Sequence, residues 1–377
     1  MSTKVDYNEE VLSQAQTRRA TVEFINIVND LWYDKSIELV LFRNPLVDKR
    51  ASEVLNLIAY AKEFVSKPIS IQDALDIAKA IQQLDLPSSK LDIGKLAYEC
   101  YLSSKNSGDK VAFVQQKLKN ATAAKDIRPK DVVLYGFGRI GRLLARELMV
   151  KMGKGSQLRL RAIVTRGEIN YTVLEKRASL LSIDSVHGDF LGTVEIDAEN
   201  NALIINGTTV HMISANNPED INYTKYGIKD ALVIDNTGAF RDKEALSRHL
   251  KGEGVAKVLI TAPAKGVANI VHGVNHKQHN PDKVDIFSAA SCTTNAITPI
   301  LKVLEDNYGI KKGHLETIHA YTNDQNLVDN MHSKYRRGRA AALNMVITET
   351  GAGAAVAKAI PALEGKLTSN AIRVPVP

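Results

Sequence analysis

The feature that most restricts how this chain folds is a glycine-rich turn between an apolar run and a helical pattern. Residues 132–135 read Val-Val-Leu-Tyr, as in a buried strand, and Gly-Phe-Gly-Arg-Ile-Gly-Arg follows at once. A helical pattern then covers residues 143–152 and a second strand pattern covers residues 158–164. This order predicts a dinucleotide site, because glycines let the backbone approach a pyrophosphate at a helix N-terminus. The alternative is a tight strand–helix turn in another kind of α/β protein. The turn residues expected to contact the cofactor are Gly136, Phe137, Gly138, Arg139, Ile140 and Gly141.

The end of the second predicted strand bears on the choice of cofactor. A fold of this kind that prefers NAD usually carries an acidic residue there, which binds the ribose hydroxyls. This chain has Thr165 and Arg166 at that place, and an arginine suits a 2′-phosphate. We therefore expect NADP, or dual use of NAD and NADP. The alternative is that Arg166 is a solvated surface charge and that Glu168 reaches the ribose.

The rest of the chain divides into three predicted domains. Residues 1–128 read as an all-α helical extension with no catalytic pattern, in which residues 70–73 form a capped helix start and Cys100 lies in the core. Residues 129–289 alternate strands and helices, which predicts a doubly wound parallel sheet with a hairpin at Asn206-Gly207. Residues 290–377 form the remaining α+β part.

Composition excludes several classes of protein. A chain of 377 residues with 44% hydrophobic and 24% charged residues is ordinary for two or three globular domains. Two cysteines supply neither a disulfide framework nor a zinc site, so we expect a reducing, cytoplasmic location and no metal. We expect no signal peptide and no membrane span. The net charge of +7 fits nucleic acid or anionic small substrates, and the lack of a nucleic-acid motif favours the second.

One of the two cysteines stands where a strand is predicted to turn into a helix. Residues 284–287 are strand-like, Cys292 lies within Ser-Ala-Ala-Ser-Cys-Thr-Thr-Asn, and helical spacing begins at Ile297. Free amide groups and the helix dipole favour a thiolate at such a place. A lone cysteine is otherwise a small buried apolar residue. The β-branched run of residues 315–322 contains His319, which supplies the base that a cysteine nucleophile needs, although a histidine in such a run is often structural.

From about residue 131 to the last residue the chain resembles phosphorylating glyceraldehyde-3-phosphate dehydrogenase. The resemblance depends on short stretches that follow the family's order. They are residues 136–142, 184–188, 236–238, 273–276, 290–295, 317–320, 337–339 and 373–375. The Ala-Ser-Cys-Thr-Thr-Asn block is highly specific to this family and its near relatives. The resemblance implies a Rossmann-type sheet followed by a catalytic domain, and a homotetramer in which residues 323–343 pack near a neighbouring subunit's cofactor.

The resemblance also implies individual roles. Cys292 is the nucleophile and His319 the base. The residues implied near the phosphate of the sugar substrate are Thr322, Asp324 and Arg373. The residues implied to hold the attacking inorganic phosphate are Ser291, Thr293, Arg339, Thr350 and Gly351. The residues implied to line the cofactor cleft are Asn236, Thr237 and Gly238.

The implied reaction oxidises glyceraldehyde 3-phosphate with NAD(P) and inorganic phosphate to 1,3-bisphosphoglycerate through a cysteine thioester, in glycolysis or gluconeogenesis. One alternative is erythrose-4-phosphate dehydrogenase, which releases its thioester to water. A second is a truncated protein that senses pyridine nucleotides and keeps a vestigial site.

Three departures from the family pattern accompany the resemblance. The acidic residue after the second strand is missing, the helical extension belongs only to a longer-chain branch, and relatives continue beyond residue 377 with further strands and a helix. The chain is therefore expected to be a fragment or a truncated product, and poorly stable and weakly active if it is whole.

Overall fold

A computed structural model describes residues 7–103, 109–119, 129–155, 157–348 and 350–376. Two compact units share the chain. The first comprises Met1–Pro129 and Val150–Arg159, and the second comprises Lys130–Met149 and Leu160–Pro377. Residues 121–130, whose sequence indicates a short charged connector, lie almost entirely outside the described residues.

The first unit contains five helices and three short strands within its described residues. The helices are α1 (Tyr7–Lys35), α2 (Ala51–Glu63), α3 (Ile71–Gln82), α4 (Ile93–Ser103) and α5 (Lys110–Lys117). The strands are β1 (Ile37–Leu41), β2 (Asn44–Pro45) and β3 (Ser89–Asp92), in the sheet order β2-β1-β3. The helical extension is confirmed, but the all-α prediction was wrong about its content. The central strand β1 pairs with a segment about fifty positions later, and no local pattern reveals such a partner.

The core of the first unit lies between α1, α3 and the small sheet. Phe24 and Val28 of α1 are fully buried, as is Ile81 of α3. The predicted capped start of α3 is confirmed, because the Ser70 hydroxyl accepts from the Asp73 amide at 3.1 Å and the Asp73 carboxylate accepts from the Ser70 amide at 2.8 Å. The thiol of Cys100 is buried, as predicted, and burial raises its pKa.

The second unit is built around a nine-stranded sheet. Its helices are α6 (Arg139–Val150), α7 (Tyr171–Ser182), α8 (Lys243–Ser247), α9 (Cys292–Tyr308) and α10 (Ala352–Ala359). Its first strands are β4 (Lys130–Tyr135), β5 (Leu158–Thr165), β6 (Ile183–Asp184), β7 (Gly188–Asp189), β8 (Val194–Asp197), β9 (Ala202–Ile205) and β10 (Thr208–Ser214). The later strands are β11 (Ala231–Asp235), β12 (Val255–Ile260), β13 (Ala268–Asn269), β14 (Ile286–Ser288), β15 (Gly313–Ala320), β16 (Val346–Thr348) and β17 (Leu367–Val374).

The large sheet confirms the doubly wound prediction. Its order is β13-β14-β12-β11-β4-β5-β10-β9-β8. The strands from β13 to β4 are parallel to their neighbours, and so are β5 and β10. The antiparallel end contains the predicted hairpin, where Asn206 and Gly207 both have positive φ. The chain leaves β4 towards β5 on one side and returns with β11 on the other. The carboxyl ends of β4 and β11 therefore flank the topological switch point, where ligands bind in open α/β sheets.

A separate three-stranded sheet follows α9. Its order is β15-β17-β16, with β15 parallel to β17. The strand predicted at residues 315–322 is thus present as β15. Among the described residues, no helix combines the length and apolar character that crossing a bilayer demands.

Candidate active site

The turn before α9 places a cysteine at the first residue of a 17-residue helix. Strand β14 ends at Ser288, and α9 begins at Cys292, as the sequence predicts. Ala290 adopts φ 59°, a conformation that costs energy for a residue with a side chain, so the turn is sharp. The Ser291 hydroxyl caps the helix by accepting from the Thr294 amide at 3.0 Å. The exposed Cys292 thiol therefore lies where free amides and the helix dipole favour negative charge.

The imidazole of a histidine in β15 faces this thiol. The Sγ atom of Cys292 lies 3.5 Å from Nε2 of His319, within the range in which a proton can pass between sulfur and nitrogen. Nδ1 of His319 lies 2.7 Å from the carbonyl oxygen of Ala320. When Nδ1 donates to that carbonyl, Nε2 is left with a lone pair that faces the sulfur. The geometry therefore suits acceptance of the thiol proton by Nε2.

An arginine on the neighbouring strand completes this cluster. Register pairs His319 of β15 with Arg373 of β17, and Nη1 of Arg373 lies 2.5 Å from Nδ1 of His319 and 2.9 Å from Ala320 O. Burial lowers the pKa of Arg373, and the charge of Arg337 lowers it further. A guanidinium only donates, so its contact with Nδ1 and the contact of Nδ1 with the carbonyl belong to opposite tautomers of His319. Arg373 can donate to the carbonyl in either case.

The other residues expected near a sugar phosphate are only partly brought together. Asp324 forms an ion pair with Arg337, and His332 lies 3.9 Å from the same carboxylate. The Thr322 amide donates to Gln325 Oε1 at 3.1 Å, and the Thr322 side chain is exposed. Arg337, which also contacts the Thr348 hydroxyl, was not among the expected phosphate-binding residues. Its place in the Arg-Gly-Arg motif was a sequence signal that could have suggested it.

The residues expected to hold inorganic phosphate lie in separate places with their own partners. The Thr293 hydroxyl is 4.0 Å from the Cys292 sulfur, and the Ser291 hydroxyl caps α9. Thr350 Oγ1 accepts from the Ala352 amide beside Gly351, which is the N-cap of α10. The guanidinium of Arg339 pairs with Asp329 at 2.6 Å within its own loop.

The glycine turn follows the predicted path between β4 and α6. Gly136 has φ 95°, a conformation that favours glycine, and its amide donates to Val164 O at 2.9 Å. A Cβ on Gly141 would lie 2.3 Å from the carbonyl oxygen of Gly136, so helix and turn pack as closely as backbone permits. Phe137 is buried, whereas Gly138, Arg139 and Ile140 are exposed.

The loop after β11 packs directly on the glycine turn. The Asn236 amide donates to Tyr135 O at 2.8 Å, and a Cβ on Gly136 would meet Thr237 Cγ2 at 2.9 Å. Gly238 has φ 68° and follows Thr237. The three residues 236–238 therefore lie at the switch point, as expected for residues that line a cofactor cleft.

Two buried polar atoms at these strand ends lack partners. Oδ1 of Asn236 and Oγ1 of Thr165 form no hydrogen bond within the described part of the chain. Unpaired buried acceptors and donors are costly, and a bound ligand is one way to satisfy them. Together with the open space beside Gly138, where a Cβ would meet nothing within 4 Å, they fit a dinucleotide. Arg166 follows Thr165 at the end of β5 and is exposed, and Glu168 is exposed as well.

The carboxylate of Asp184 connects the first turn of α6 to the motif at residues 184–188. Asp184 is buried and accepts from the amides of Val186 and His187 at 3.0 and 3.1 Å. Its Oδ2 lies 3.5 Å from both Arg139 Nε and Arg142 Nη2 in the first turn of α6. The contact with the His187 ring contributes most to lowering the pKa of Asp184 below its ordinary value, and the amides and Arg139 add to this effect. The short stretch at residues 184–188 thereby anchors the start of α6.

No group of three or more His, Cys, Asp or Glu side chains within the described ranges is arranged to hold a metal ion. The reactive groups of the site are a thiol, an imidazole and arginines, in the same compact unit as the Rossmann-type sheet. Fold and site define a dinucleotide-dependent oxidoreductase that acts on an aldehyde group.

Comparison with known proteins identifies the family. The family model described as glyceraldehyde 3-phosphate dehydrogenase, NAD binding domain, matches residues 130–243, and the model of the C-terminal domain of that enzyme matches residues 291–377. The "Glyceraldehyde-3-phosphate dehydrogenase-like protein" of Pseudomonas aeruginosa is 48% identical over 94% of this chain and 77% of its own length. The chain belongs to the glyceraldehyde-3-phosphate dehydrogenase family.

Other relatives match a shorter part of the chain. "Glyceraldehyde-3-phosphate dehydrogenase 2" of Trichormus variabilis is 43% identical over 65% of this chain and 70% of its own length. The "Glyceraldehyde-3-phosphate dehydrogenase" of Zymomonas mobilis is 42% identical over the same shares. The Pseudomonas match spans 360 residues, so it includes most of the helical extension.

The Asp184 contacts predict a pH-dependent contribution to stability. The folded-state pKa of Asp184 lies below the value of about 3.9 for an unfolded aspartate, so its charge stabilises the fold above that pH. This stabilisation is lost as pH falls through the lower, folded value. We expect Asp184→Asn to lower the melting temperature at pH 7, with a difference from wild type that shrinks below about pH 4.

The matched control is Asp306→Asn, which removes an exposed carboxylate paired with Lys302. Surface pairs of this kind contribute little, so we expect only a small change at either pH. An Asp184→Asn difference of the same size at pH 7 and at pH 3 would contradict the assigned role of the charge.

Proposed function

We propose that the protein is a phosphorylating glyceraldehyde-3-phosphate dehydrogenase. It oxidises glyceraldehyde 3-phosphate with NAD(P) and inorganic phosphate to 1,3-bisphosphoglycerate. The single observation that carries the proposal is the 3.5 Å contact between Cys292 Sγ and His319 Nε2 at the start of α9. A nucleophile and its base within proton-transfer distance are the minimum that thioester chemistry needs.

The chemistry of the first half-reaction belongs to this pair. Cys292 Sγ adds to the aldehyde carbon as the thiol proton passes to His319 Nε2, which then gives that proton to the former aldehyde oxygen and becomes free to act as a base again. The resulting hemithioacetal must lose its hydroxyl proton as it is oxidised, and His319 is the base that takes this proton. A bound nicotinamide dinucleotide supplies the hydride acceptor. The product of this half-reaction is a thioester on Cys292.

The second half-reaction needs two anions bound at once. We assign the phosphate of the sugar to Arg373, Thr322 and Asp324, of which the arginine supplies the positive charge. The lowered pKa of Arg373 reflects its burial, and a guanidinium whose charge is poorly solvated gains most from a phosphate partner. Arg337 lies between Asp324 and Thr348 and joins this group.

The attacking phosphate is assigned to a second set of donors. Thr293 and Ser291 flank Cys292, and Thr350 with Gly351 lies at the N-terminus of α10, where helix amides favour an anion. Arg339 supplies the charge once it leaves Asp329. Inorganic phosphate attacks the thioester carbon, the carbon–sulfur bond breaks, and the thiolate of Cys292 is regenerated.

The cofactor cleft is assigned to residues 136–141 and 236–238. The close approach of Gly141 to Gly136 and the unpaired Oδ1 of Asn236 support this assignment. We propose that Arg166 favours NADP or dual use, because a guanidinium at the end of β5 suits a 2′-phosphate. We further propose a division into residues 1–128, 129–289 and 290–377, and a homotetramer.

Initial rates with glyceraldehyde 3-phosphate test the proposed reaction. Each cofactor is tested with and without inorganic phosphate, and formation of the reduced cofactor is followed. We expect sustained turnover only when phosphate is present, because only phosphate is assigned the role of attacking the thioester. Turnover that is independent of phosphate would instead favour hydrolytic release, as in erythrose-4-phosphate dehydrogenase.

The matched control is Cys292→Ser, a change of one atom at an exposed position. A serine hydroxyl beside His319 is a much weaker nucleophile than a thiolate, so we expect loss of the hydride step with cofactor binding retained. Dehydrogenase turnover by this variant would contradict the proposed function, and so would absence of turnover in the wild type.

A second prediction concerns selectivity between the two cofactors. Arg166→Asp replaces a group that suits a 2′-phosphate with one that binds ribose hydroxyls. We expect the ratio of kcat/KM for NADP to that for NAD to fall by about tenfold or more. Glu168→Gln serves as the control for the alternative ribose contact. A ratio that does not change in Arg166→Asp would show that the arginine is a solvated surface charge.

A further inference from the structure

A fully buried His–Asp pair lies beneath the loop that packs on the glycine turn. Nε2 of His249 is 2.9 Å from Oδ2 of Asp235, and neither side chain is exposed to solvent. Asp235 is the last residue of β11, and His249 lies in the short turn Arg248–Lys251 that follows α8. The reaction assigned above uses neither group. A buried carboxylate and imidazole without a catalytic role call for another reason to be there.

One hydrogen bond joins the two side chains. An ionised carboxylate only accepts hydrogen bonds, so Nε2 of His249 must carry the proton that it donates to Asp235. Nδ1 of His249 is buried and has no hydrogen-bond partner among the described residues. This single hydrogen bond holds the imidazole in one orientation.

Aromatic rings fix the imidazole from two sides. The ring of Tyr135 at the end of β4 lies 4.6 Å from the His249 ring with the planes 83° apart. The ring of Phe240 lies 5.1 Å away at 66°. Edge-to-face contacts of this kind are favourable and directional. The histidine thus links three segments, namely the end of β4, the end of β11 and the chain after residue 238.

The other carboxylate oxygen of Asp235 stabilises the loop that follows β11. Oδ1 of Asp235 accepts from both the amide and the hydroxyl of Thr237 at 2.8 Å. The same hydroxyl then accepts from the Ala239 amide at 3.1 Å. Thr237 in turn leaves no space for a Cβ on Gly136, with Cγ2 at 2.9 Å. The chain of contacts therefore runs from His249 through Asp235 and Thr237 to the glycine turn.

We propose that Asp235 and His249 are positioning residues that hold the 236–239 loop against the glycine turn and so set the affinity for the dinucleotide. The inference rests on the proposed function, in which residues 236–238 line the cofactor cleft. Loss of the Nε2–H donor leaves a buried carboxylate oxygen unpaired, which drives Asp235 to rearrange and releases Thr237. The thiol and imidazole of the reactive pair are not part of this chain of contacts.

Two substitutions of His249 by amide side chains distinguish the effect of its hydrogen bond from the effect of its packing. The amide nitrogen of glutamine reaches the place of Nε2, whereas that of asparagine is one methylene shorter and does not. We expect His249→Asn to weaken binding of NAD and NADP by about tenfold, and His249→Gln by no more than about threefold. Binding is measured by titration of the full chain with each dinucleotide alone. In steady state, KM for the cofactor rises in His249→Asn, while kcat and KM for the aldehyde stay within about threefold.

The matched control is His211→Asn. Like His249, His211 has a buried Nδ1 with no partner among the described residues, but it is only partly buried and lies in the middle of β10 beside Tyr226. We expect no change in cofactor binding there. If His249 had a purely structural role, its loss would lower thermal stability, kcat and the kcat/KM values for cofactor and aldehyde together. The glutamine and asparagine variants would then behave alike.

Thr237→Val tests the same connection without altering the core, because this side chain is exposed and the change is isosteric. We expect about tenfold weaker cofactor binding, and a double variant with His249→Asn that binds no more weakly than either single variant. Equal binding by His249→Asn and wild type, equal losses in the asparagine and glutamine variants, or additive losses in the double variant would overturn the inference. Failure of the proposed function shows differently, as a wild-type chain that binds dinucleotide but does not oxidise the aldehyde.

Discussion

The candidate active site depends on one contact, between the sulfur of Cys292 and an imidazole nitrogen of His319. Cys292 begins α9 after a strained turn, and His319 lies near the end of β15. The 3.5 Å distance between Cys292 Sγ and His319 Nε2 therefore depends on how a helix and a strand from separate parts of the chain pack together. The turn is held by a capping serine, and the imidazole is held by the carbonyl of Ala320. Each partner is thus fixed by its own backbone before the two meet. Preorganisation of this kind is what lets a weak thiol nucleophile and a neutral base act together at little further cost.

The cofactor side of the site is also preorganised, but there the backbone rather than the side chains is held in place. Gly136 and Gly141 bring the start of α6 so close to the end of β4 that a single methyl group would intrude. The loop after β11 then closes on this turn, and its conformation depends on Thr237 and Asp235. Close backbone packing leaves amides and a helix N-terminus open to a pyrophosphate. The buried pair of His249 and Asp235 extends this construction below the surface of the cleft.

Local patterns predicted the parts of the structure whose causes are local. The strand, glycine turn and helix at residues 132–152 were visible because each step has its own residue signature, and the same holds for the turn into α9. The contact of Arg373 with His319 was not visible as a contact, because it depends on the register between strands 54 residues apart. The small sheet of the extension was missed for the same reason, since β1 pairs with β3 across two helices. Asp235 and His249 were missed because nothing in their immediate neighbours distinguishes a buried partner from a surface charge, whereas Arg337 stands in the Arg-Gly-Arg motif, which could have suggested it.

Alkylation of the two cysteines tests the central contact most directly. The chain carries its own reference, because Cys292 is exposed and paired with His319 whereas Cys100 is buried in the first unit. Iodoacetamide at pH 7, with each cysteine followed by peptide mass analysis, measures thiolate reactivity in the wild type and in His319→Asn. The contact predicts that Cys292 reacts at least about tenfold faster in the wild type than in the variant, with Cys100 slow in both. Equal rates for Cys292 in the two proteins would contradict the assignment of the thiol and imidazole as one reactive unit.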